Sequence, residues 1–322
     1  MKSLIKIKGD ASFRKFFRKK NNNYTSIIVF AKKEKLKNLL VYDAINKILN
    51  KNKILAPALY KENYSENYIE IQDFGNETIF NKLKKKKTNK FNYFKKIINL
   101  LNKIQSIKNR KIKNFKNKNY FLPKYDARTL IKEANLFCDW YVKKNLSKST
   151  EDKFSKQFKK VIKKLTSNLM LKDNFFVHRD FHVSNIMVNK KKLGLIDSQD
   201  AIVGNPLYDV ASLIDDVRIK LSQDFQNKLF KFYWQGSKYK NEKEEKLKND
   251  FDILSVQRNL KILGIFVRLW KRDNKTNYLK YLPYTWTLIE RRLKNPIFKN
   301  LNLLMQKNLP IKKLKLLKQY EN

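Results

Sequence analysis

Hydrophobic periodicity changes character once along this chain, and that change constrains the fold more than any other feature. Up to residue 75 the apolar residues fall in short β-rich runs, SLIKI (3–7), SFRKFF (12–17), TSIIVF (25–30) and NYIEIQ (67–72), which predict strands. One exception, KLKNLLVYDAINKIL (35–49), repeats Leu and Ile three and four apart and predicts a helix packed on that sheet. After the DFG at 73–75 the spacing turns helical, predicting helices over 77–87, 91–106, 126–145, 151–170, 207–235, 243–272 and 284–294. The expected fold is therefore α+β with two lobes: a small β-rich lobe over 1–75 and a larger, mainly helical lobe over 76–322. A chain of 322 residues is long enough for both cores, and its six glycines and six prolines leave no flexible linker between them.

The helical half is interrupted by one β-rich patch, FVHRDFHVSNIMVNKKKLGLIDSQDA (176–201). FFV reads as a short buried strand, HRDFHVSN as a polar loop, and IMVNKKKLGLID as a hairpin turning at the lysines. Asp180 and Asn185 then leave one loop and Asp197 ends the returning strand, so all three can face a single point. One amide oxygen and one carboxylate, from Asn185 and Asp197, suit a hard divalent cation that keeps its water and shares phosphate oxygens, which is the habit of magnesium. A third carboxylate beside them, Asp180, can accept a hydroxyl proton, and the three make a working set for phosphoryl transfer from a nucleotide. A lone loop aspartate is ordinarily a turn former or helix cap, the reading kept here for Asp215 and Asp216. Four functional-type residues within eight positions do not fit that reading. His178 and His182 are the only histidines. With no cysteine nearby and no third histidine they argue against a structural zinc site, and both are read as hydrogen-bonding scaffold of the loop.

A formal net charge of +44 would ordinarily point to a polyanionic partner. Here the excess is mostly lysine, scattered beside abundant Asn and Ile as in an A- and T-rich coding sequence. The only runs are KLKKKK at 82–87 and KKLKLLK at 312–318. No specific nucleic-acid partner is expected. Cys138 stands alone among apolar residues at helical spacing, which predicts a buried packing thiol rather than a disulfide. No apolar run reaches 18 residues and the N-terminus lacks a signal-peptide core, so a cytoplasmic protein with no membrane partner is expected.

HRDFHVSN with IDSQD resembles the catalytic loop and metal-binding aspartate of the protein-kinase-like aminoglycoside phosphotransferase superfamily. GDASFRKFFR (9–18), LIKEANLFCDWYVKKNL (130–146), LGLIDSQDAIVGNPLYDVASLIDD (193–216) and QRNLKILGIFVRLWKRDNKTNYLKYLP (257–283) resemble one branch of it, the bacterial N-acetylmuramate/N-acetylglucosamine anomeric kinases. The resemblance covers nearly the whole chain and fades after about residue 295.

It implies a protein-kinase-like two-lobed fold, ATP and Mg2+ as cofactors, a small-molecule sugar as substrate, Asp180 as proton acceptor, and Asn185 and Asp197 as metal ligands. The DFG at 73–75 lies too far before the HRD loop to be the metal triplet, and the resemblance makes it the hinge that joins the lobes. For the nucleotide, Gly9, Asp10 and Ser12 can make a tight turn, Arg14 or Lys15 can reach phosphate oxygens, and Lys32 is the candidate strand lysine. The alternative for these cations is solvated strand residues. The lobe helix contains no Glu, and Asp43 is its only acid. Asp200 is a further carboxylate near metal or sugar, and Gln257, Arg258 and Arg268 are the polar candidates for sugar recognition on a helix otherwise patterned as core. Asp209 is read as capping or anchoring its helix. An aminoglycoside or choline kinase of the same fold is the alternative enzyme, and a non-enzymatic nucleic-acid binder the alternative class.

Overall fold

The structure is a computed structural model that describes residues 4–7, 14–31, 38–85, 88–171, 174–190 and 192–309. The chain divides into two compact units, residues 1–123 with 175–203, and residues 124–174 with 204–322.

The first unit is built on β1 (Leu4–Ile7), β2 (Lys15–Lys20), β3 (Thr25–Phe30), α1 (Asn38–Lys51), β4 (Leu59–Asn63) and β5 (Tyr68–Gln72). The strands form one antiparallel sheet in the order β1-β2-β3-β5-β4. Register follows the period of two: Val29 lies opposite Phe16 and Ile69, and Ile27 opposite Arg18 and Ile71. Val29, Ala31, Ile69 and Ile71 pack with Leu39 and Tyr42 of α1 into the core of this unit, as the alternation and the helical repeat require. Strand β4 is absent from the sequence reading because LYKEN is half polar. Its pairing to β5 carries a register shift between Leu59 and Lys61.

Beyond β5 come α2 (Ile79–Lys84) and α3 (Lys90–Gln105), capped by Thr78 and Asn89, whose side chains accept from Asn81 N and Asn92 N. A hairpin, β6 (Lys111–Lys113) with β7 (Asn119–Phe121), went unread because its strands are only three residues long. Then β8 (Phe175–Val177), β9 (Ile186–Asn189) and β10 (Lys192–Leu195) supply the strand and the hairpin expected from 176–201. The β9–β10 hairpin is fixed on both sides. Leu195 N donates to Leu55 O at 2.8 Å and Val188 N to Glu77 O at 2.8 Å.

The second unit is helical. It runs through α4 (Ala127–Ala134), a π-helical stretch Phe137–Val142, α5 (Lys143–Asn145), α6 (Lys148–Ser167), α7 (Leu207–Ile214), α8 (Gln223–Gly236), α9 (Glu244–Asp273), α10 (Leu282–Leu293) and α11 (Lys299–Asn308). Two of the expected helices are interrupted. The segment 126–145 changes pitch at Phe137, and 207–235 breaks at Asp215 and restarts at Ser222, whose hydroxyl caps α8 by accepting from Phe225 N. Helix α9 is the centre of this unit, and Gly264 is why it packs so closely. A Cβ there would lie 2.1 Å from Leu136 O and 2.8 Å from Phe137 N, so only glycine admits the contact. Cys138 is free and buried, as expected, and burial pushes its thiol up to about 12.

Asp216 is the turn former expected of it, accepting from Arg218 N at 3.0 Å. Asp215 is more than that. It is fully buried and receives Arg292 Nε at 2.9 Å and Nη2 at 2.8 Å, with Gln226 Nε2 and Ser255 Oγ as further donors. A carboxylate without water must be neutralised and hydrogen-bonded, and its partners come from α8, α9 and α10, far away in sequence. Among the described residues no helix is long and apolar enough to cross a membrane.

Candidate active site

The loop from β8 to β9 is set by its backbone. Phe175, Phe176 and Val177 are buried, and the chain then turns through Arg179, whose φ of +71° is left-handed. The Asp180 carbonyl accepts twice, from His182 N at 2.9 Å and from Asn185 Nδ2 at 3.1 Å, while Asn185 N donates to His182 O at 2.9 Å. Asn185 Nδ2 also lies 3.3 Å from His182 Nε2. Its amide nitrogen is thus engaged inside the loop, which leaves Oδ1 as the atom suited to a cation. His178 is fully buried with its ring edge-on to Phe181, and burial pushes its pKa down, opposed by the Asp180 charge. His178 is thus packed against Phe181, while His182 meets Asn185 within the loop.

Asp197 arrives from the other side. Ile196 N donates to Asn185 O at 3.1 Å, which brings the end of β10 against the loop. Asp197 has a φ of +59°, and its Oδ1 accepts from Arg14 Nη2 at 3.0 Å. Burial pushes the Asp197 carboxyl up; Arg14 opposes this and the neighbouring Asp180 adds to it. Two carboxylates that repel each other in this way are suited to share a cation. Arg14 is itself buried, its guanidinium 5.8 Å from the ring centres of Phe16 and Tyr42. The Tyr42 phenol is pushed up to about 12 by burial.

The next residue links this point to α1. Ser198 Oγ donates to Asn46 Oδ1 at 2.6 Å, and Asn46 Nδ2 donates to Pro57 O at 3.1 Å. The helix thus meets the segment that follows β10 through an amide. Asp43, the only acid of that helix, pairs within it to Lys47 at 2.8 Å. No sequence signal marks Asn46, in a chain so rich in asparagine. Asp200 is exposed, with Gln199 Nε2 at 3.0 Å and Arg179 Nη1 at 4.0 Å. Gly9, Asp10, Ser12 and Lys32 lie outside the described residues.

The DFG at 73–75 has a structural use. Asp73 receives Arg18 Nε at 2.5 Å and Nη2 at 3.0 Å, plus Gly75 N at 2.8 Å, and Gly75 takes a φ of +79°. Phe74 covers Gly194 of β10 so closely that a Cβ there would sit 2.7 Å from its ring. The triplet therefore supports the β9–β10 hairpin.

In the second unit, Gln257 is buried on α9 and donates through Nε2 to Thr166 Oγ1 at 2.8 Å. Arg258 is buried, and Arg268 is half-buried with its pKa pushed down by burial. Asp209 is fully buried in the first turn of α7, behind Pro206 at the helix start.

Among the described residues no cluster of three His, Cys, Asp or Glu side chains could cage a metal. An amide oxygen and a carboxylate, with a second carboxylate near, match a magnesium ion that takes its other ligands from water and phosphate. Residues 3–242 match the phosphotransferase enzyme family. The chain belongs to that family. This phosphotransferase is 27% identical over 278 residues to the N-acetylmuramate/N-acetylglucosamine kinase of Neisseria meningitidis serogroup B, covering 85% of this chain and 80% of the relative. It is 27% identical over 289 residues to the Pseudomonas putida protein of the same name, covering 87% and 80%. Among solved structures it resembles a choline/ethanolamine kinase family protein from Mesorhizobium loti, with a TM-score of 0.61 and 12% identity over 95% of this chain and 93% of that one. It also resembles the aminoglycoside phosphotransferase APH(2'')-IIa in complex with gentamicin, at a TM-score of 0.63 and 15% identity over 88% and 90%. The phosphotransferase thus has the kinase-like α+β fold expected from its sequence.

Proposed function

We propose that this phosphotransferase is an ATP- and magnesium-dependent kinase that phosphorylates the anomeric hydroxyl of an N-acetylated amino sugar, N-acetylmuramate or N-acetylglucosamine. The observation that carries the catalytic reading is the fixed triangle of Asp180, Asn185 and Asp197: one loop holds the first two through Asn185 Nδ2 to Asp180 O, and Ile196 N to Asn185 O brings the third beside them. Asp180 takes the proton of the acceptor hydroxyl as the sugar O1 bonds to the terminal phosphorus and the bond to the departing ADP oxygen breaks. Asn185 Oδ1 and the Asp197 carboxylate would hold a magnesium ion, which would supply positive charge to offset the charge that develops on the transferring phosphate.

Arg14, whose Nη2 donates to Asp197 Oδ1 at 3.0 Å, is assigned to a phosphate oxygen in this reading. Gly9, Asp10, Ser12 and Lys32 are assigned to the nucleotide in this reading. Residues 1–75 form the nucleotide-binding lobe, and 76–322 carry the catalytic loop and the acceptor site. Asp200, Gln257, Arg258 and Arg268 are assigned to the sugar. The sugar class rests on the names of the relatives and on acidity: an anomeric hydroxyl is more acidic than other sugar hydroxyls, so one carboxylate suffices to activate it. The product, a sugar 1-phosphate, suits cytoplasmic recycling of cell-wall sugars.

The test separates chemistry from binding. Asp180→Asn keeps the shape of the loop and removes the proton acceptor, so turnover falls by about 10² to 10⁴ while nucleotide affinity is retained. Asp197→Ala weakens the magnesium-dependent part of nucleotide binding. Parent-like turnover in both variants would show that the site is elsewhere.

A further inference from the structure

Three buried or half-buried arginines end on a carboxylate: Arg14 on Asp197, Arg18 on Asp73 and Arg292 on Asp215. Arg258 does not. It is 5% exposed on α9, its Nη1 is buried without a hydrogen-bond partner, and among the described residues it makes no ion pair. Its neighbours on the helix fix where it lies. Ser255 Oγ donates to Asp215 Oδ2 at the end of α7, and Lys261 Nζ lies 3.3 Å from Tyr208 OH in the first turn of α7. Arg258 is three residues from each and shares their face, so it lies along the flank of α7 between them. The acids at both ends of this stripe are committed: Asp215 receives Arg292, and Glu133 receives Lys261 Nζ at 2.8 Å and the Tyr125 hydroxyl. Other buried acids of the unit are held as well, Asp216 by Arg218, Asp252 by Lys248, and Asp250 by the Met170 and Leu171 N–H groups. One turn beyond Arg258 the stripe reaches the surface, where the Lys261 and Glu133 side chains are 16% and 15% exposed. A guanidinium held out of water without an anion destabilises the fold, and its charge is compensated once a ligand brings one.

We infer that Arg258 sets the choice between the two candidate sugars by pairing with the lactyl carboxylate of N-acetylmuramate. The inference rests on the proposed sugar kinase activity, in which Arg258 is assigned to the acceptor. The nucleotide phosphates are assigned to Arg14 in that reading, so the anion that Arg258 lacks comes from the sugar. N-acetylmuramate and N-acetylglucosamine share the ring, the N-acetyl group and the anomeric hydroxyl. Only the first carries a lactyl ether at O3, whose carboxylate is ionised at neutral pH. A planar guanidinium receives a carboxylate through two parallel N–H···O bonds, whereas the neutral O3 hydroxyl of N-acetylglucosamine leaves its charge uncompensated. Lys261, the other cation of the stripe, already meets Glu133 and Tyr208.

The experiment reads binding and turnover of the full chain. Binding is measured by calorimetry with a non-hydrolysable ATP analogue and magnesium. The probes are N-acetylmuramate, N-acetylglucosamine and the amide of the N-acetylmuramate lactyl group, which keeps its shape and loses its charge. The parent binds N-acetylmuramate more tightly than either neutral probe. Arg258→Met removes the guanidinium at similar length, and its affinity and kcat/KM for N-acetylmuramate fall about 30-fold or more beyond any loss for N-acetylglucosamine. Arg258→Lys keeps the charge without the fork and recovers part of the preference. Because Arg258→Met strands no carboxylate, its midpoint in urea is not lowered. Equal affinity of the parent for the charged and neutral probes would overturn the pairing. So would an equal loss for both sugars in Arg258→Met, which together with a lowered midpoint would mark a structural arginine. A parent that phosphorylates both sugars at C1, with a variant that loses them equally, keeps the proposed activity and refutes the pairing. A parent that phosphorylates neither refutes the activity, and the binding series then decides the pairing by itself.

Discussion

Gly264→Ala is the smallest substitution with a large expected effect. An added Cβ would lie 2.1 Å from Leu136 O, 2.4 Å from Leu136 C and 2.8 Å from Phe137 N. Non-bonded atoms settle at about 3.5 Å, so the two segments must separate by roughly 1.4 Å. Overpacking costs about 1–3 kcal/mol in a typical core, and the upper end applies because all three neighbours are backbone atoms that no rotamer change can move. Alanine in a helix interior returns about 1 kcal/mol of propensity. The net expectation is a loss of about 2 kcal/mol from the second unit. All four tryptophans, Trp140, Trp234, Trp270 and Trp286, belong to that unit, so intrinsic fluorescence in urea follows it specifically. The midpoint falls with the slope unchanged. A variant as stable as the parent, or more stable, would show that propensity outweighs contact and that α9 does not approach the Leu136 backbone as described.

Arg292→Met strands the buried Asp215 carboxylate and costs about 3–5 kcal/mol in the same assay, while adding Asp215→Leu restores part of it; no loss in the single variant would contradict the pairing. Burial alone would raise the Asp73 carboxyl, but Arg18 and the Gly75 N–H outweigh it and hold its pKa below the ordinary 3.8. The folded state then binds fewer protons than the unfolded chain between the two values. The contribution of Asp73 is accordingly complete above pH 3.8 and is lost as pH falls through the folded pKa, so Asp73→Asn flattens that acid limb and a limb of unchanged steepness would refute the assignment. Duplex DNA binds weakly, without sequence preference, and is released between low and physiological salt; tight binding to one sequence at physiological salt would overturn the view that the lysines are not a recognition surface.

The candidate triangle stands out in the sequence because its residues lie at close intervals between apolar strands, and periodicity alone separated the sheet residues from the long helices. What escaped the sequence was whatever depends on a partner far along the chain. Asn46 is one asparagine among many until Ser198 meets it, and Asp215 looks like a turn residue until Arg292 arrives from 77 positions away. Arg14 stood out as a possible phosphate contact, but its contact with Asp197 spans 183 positions. Short strands such as KIK and NYF hold too few residues to show a period, and LYKEN joins the sheet through hydrogen bonds that its side chains do not announce. The π-helical stretch at Phe137–Val142 lies in a sequence that reads as continuous helix.

The central claim is that the triangle transfers a phosphoryl group to the anomeric oxygen of an amino sugar. The most direct measurement supplies the purified chain with ATP, magnesium and either N-acetylglucosamine or N-acetylmuramic acid, and locates the new phosphate by phosphorus NMR through its coupling to the sugar protons. Phosphate on C1, formed by the parent and lost in Asp180→Asn, is the predicted result. Phosphate on C6, or turnover only with choline or an aminoglycoside, would contradict it.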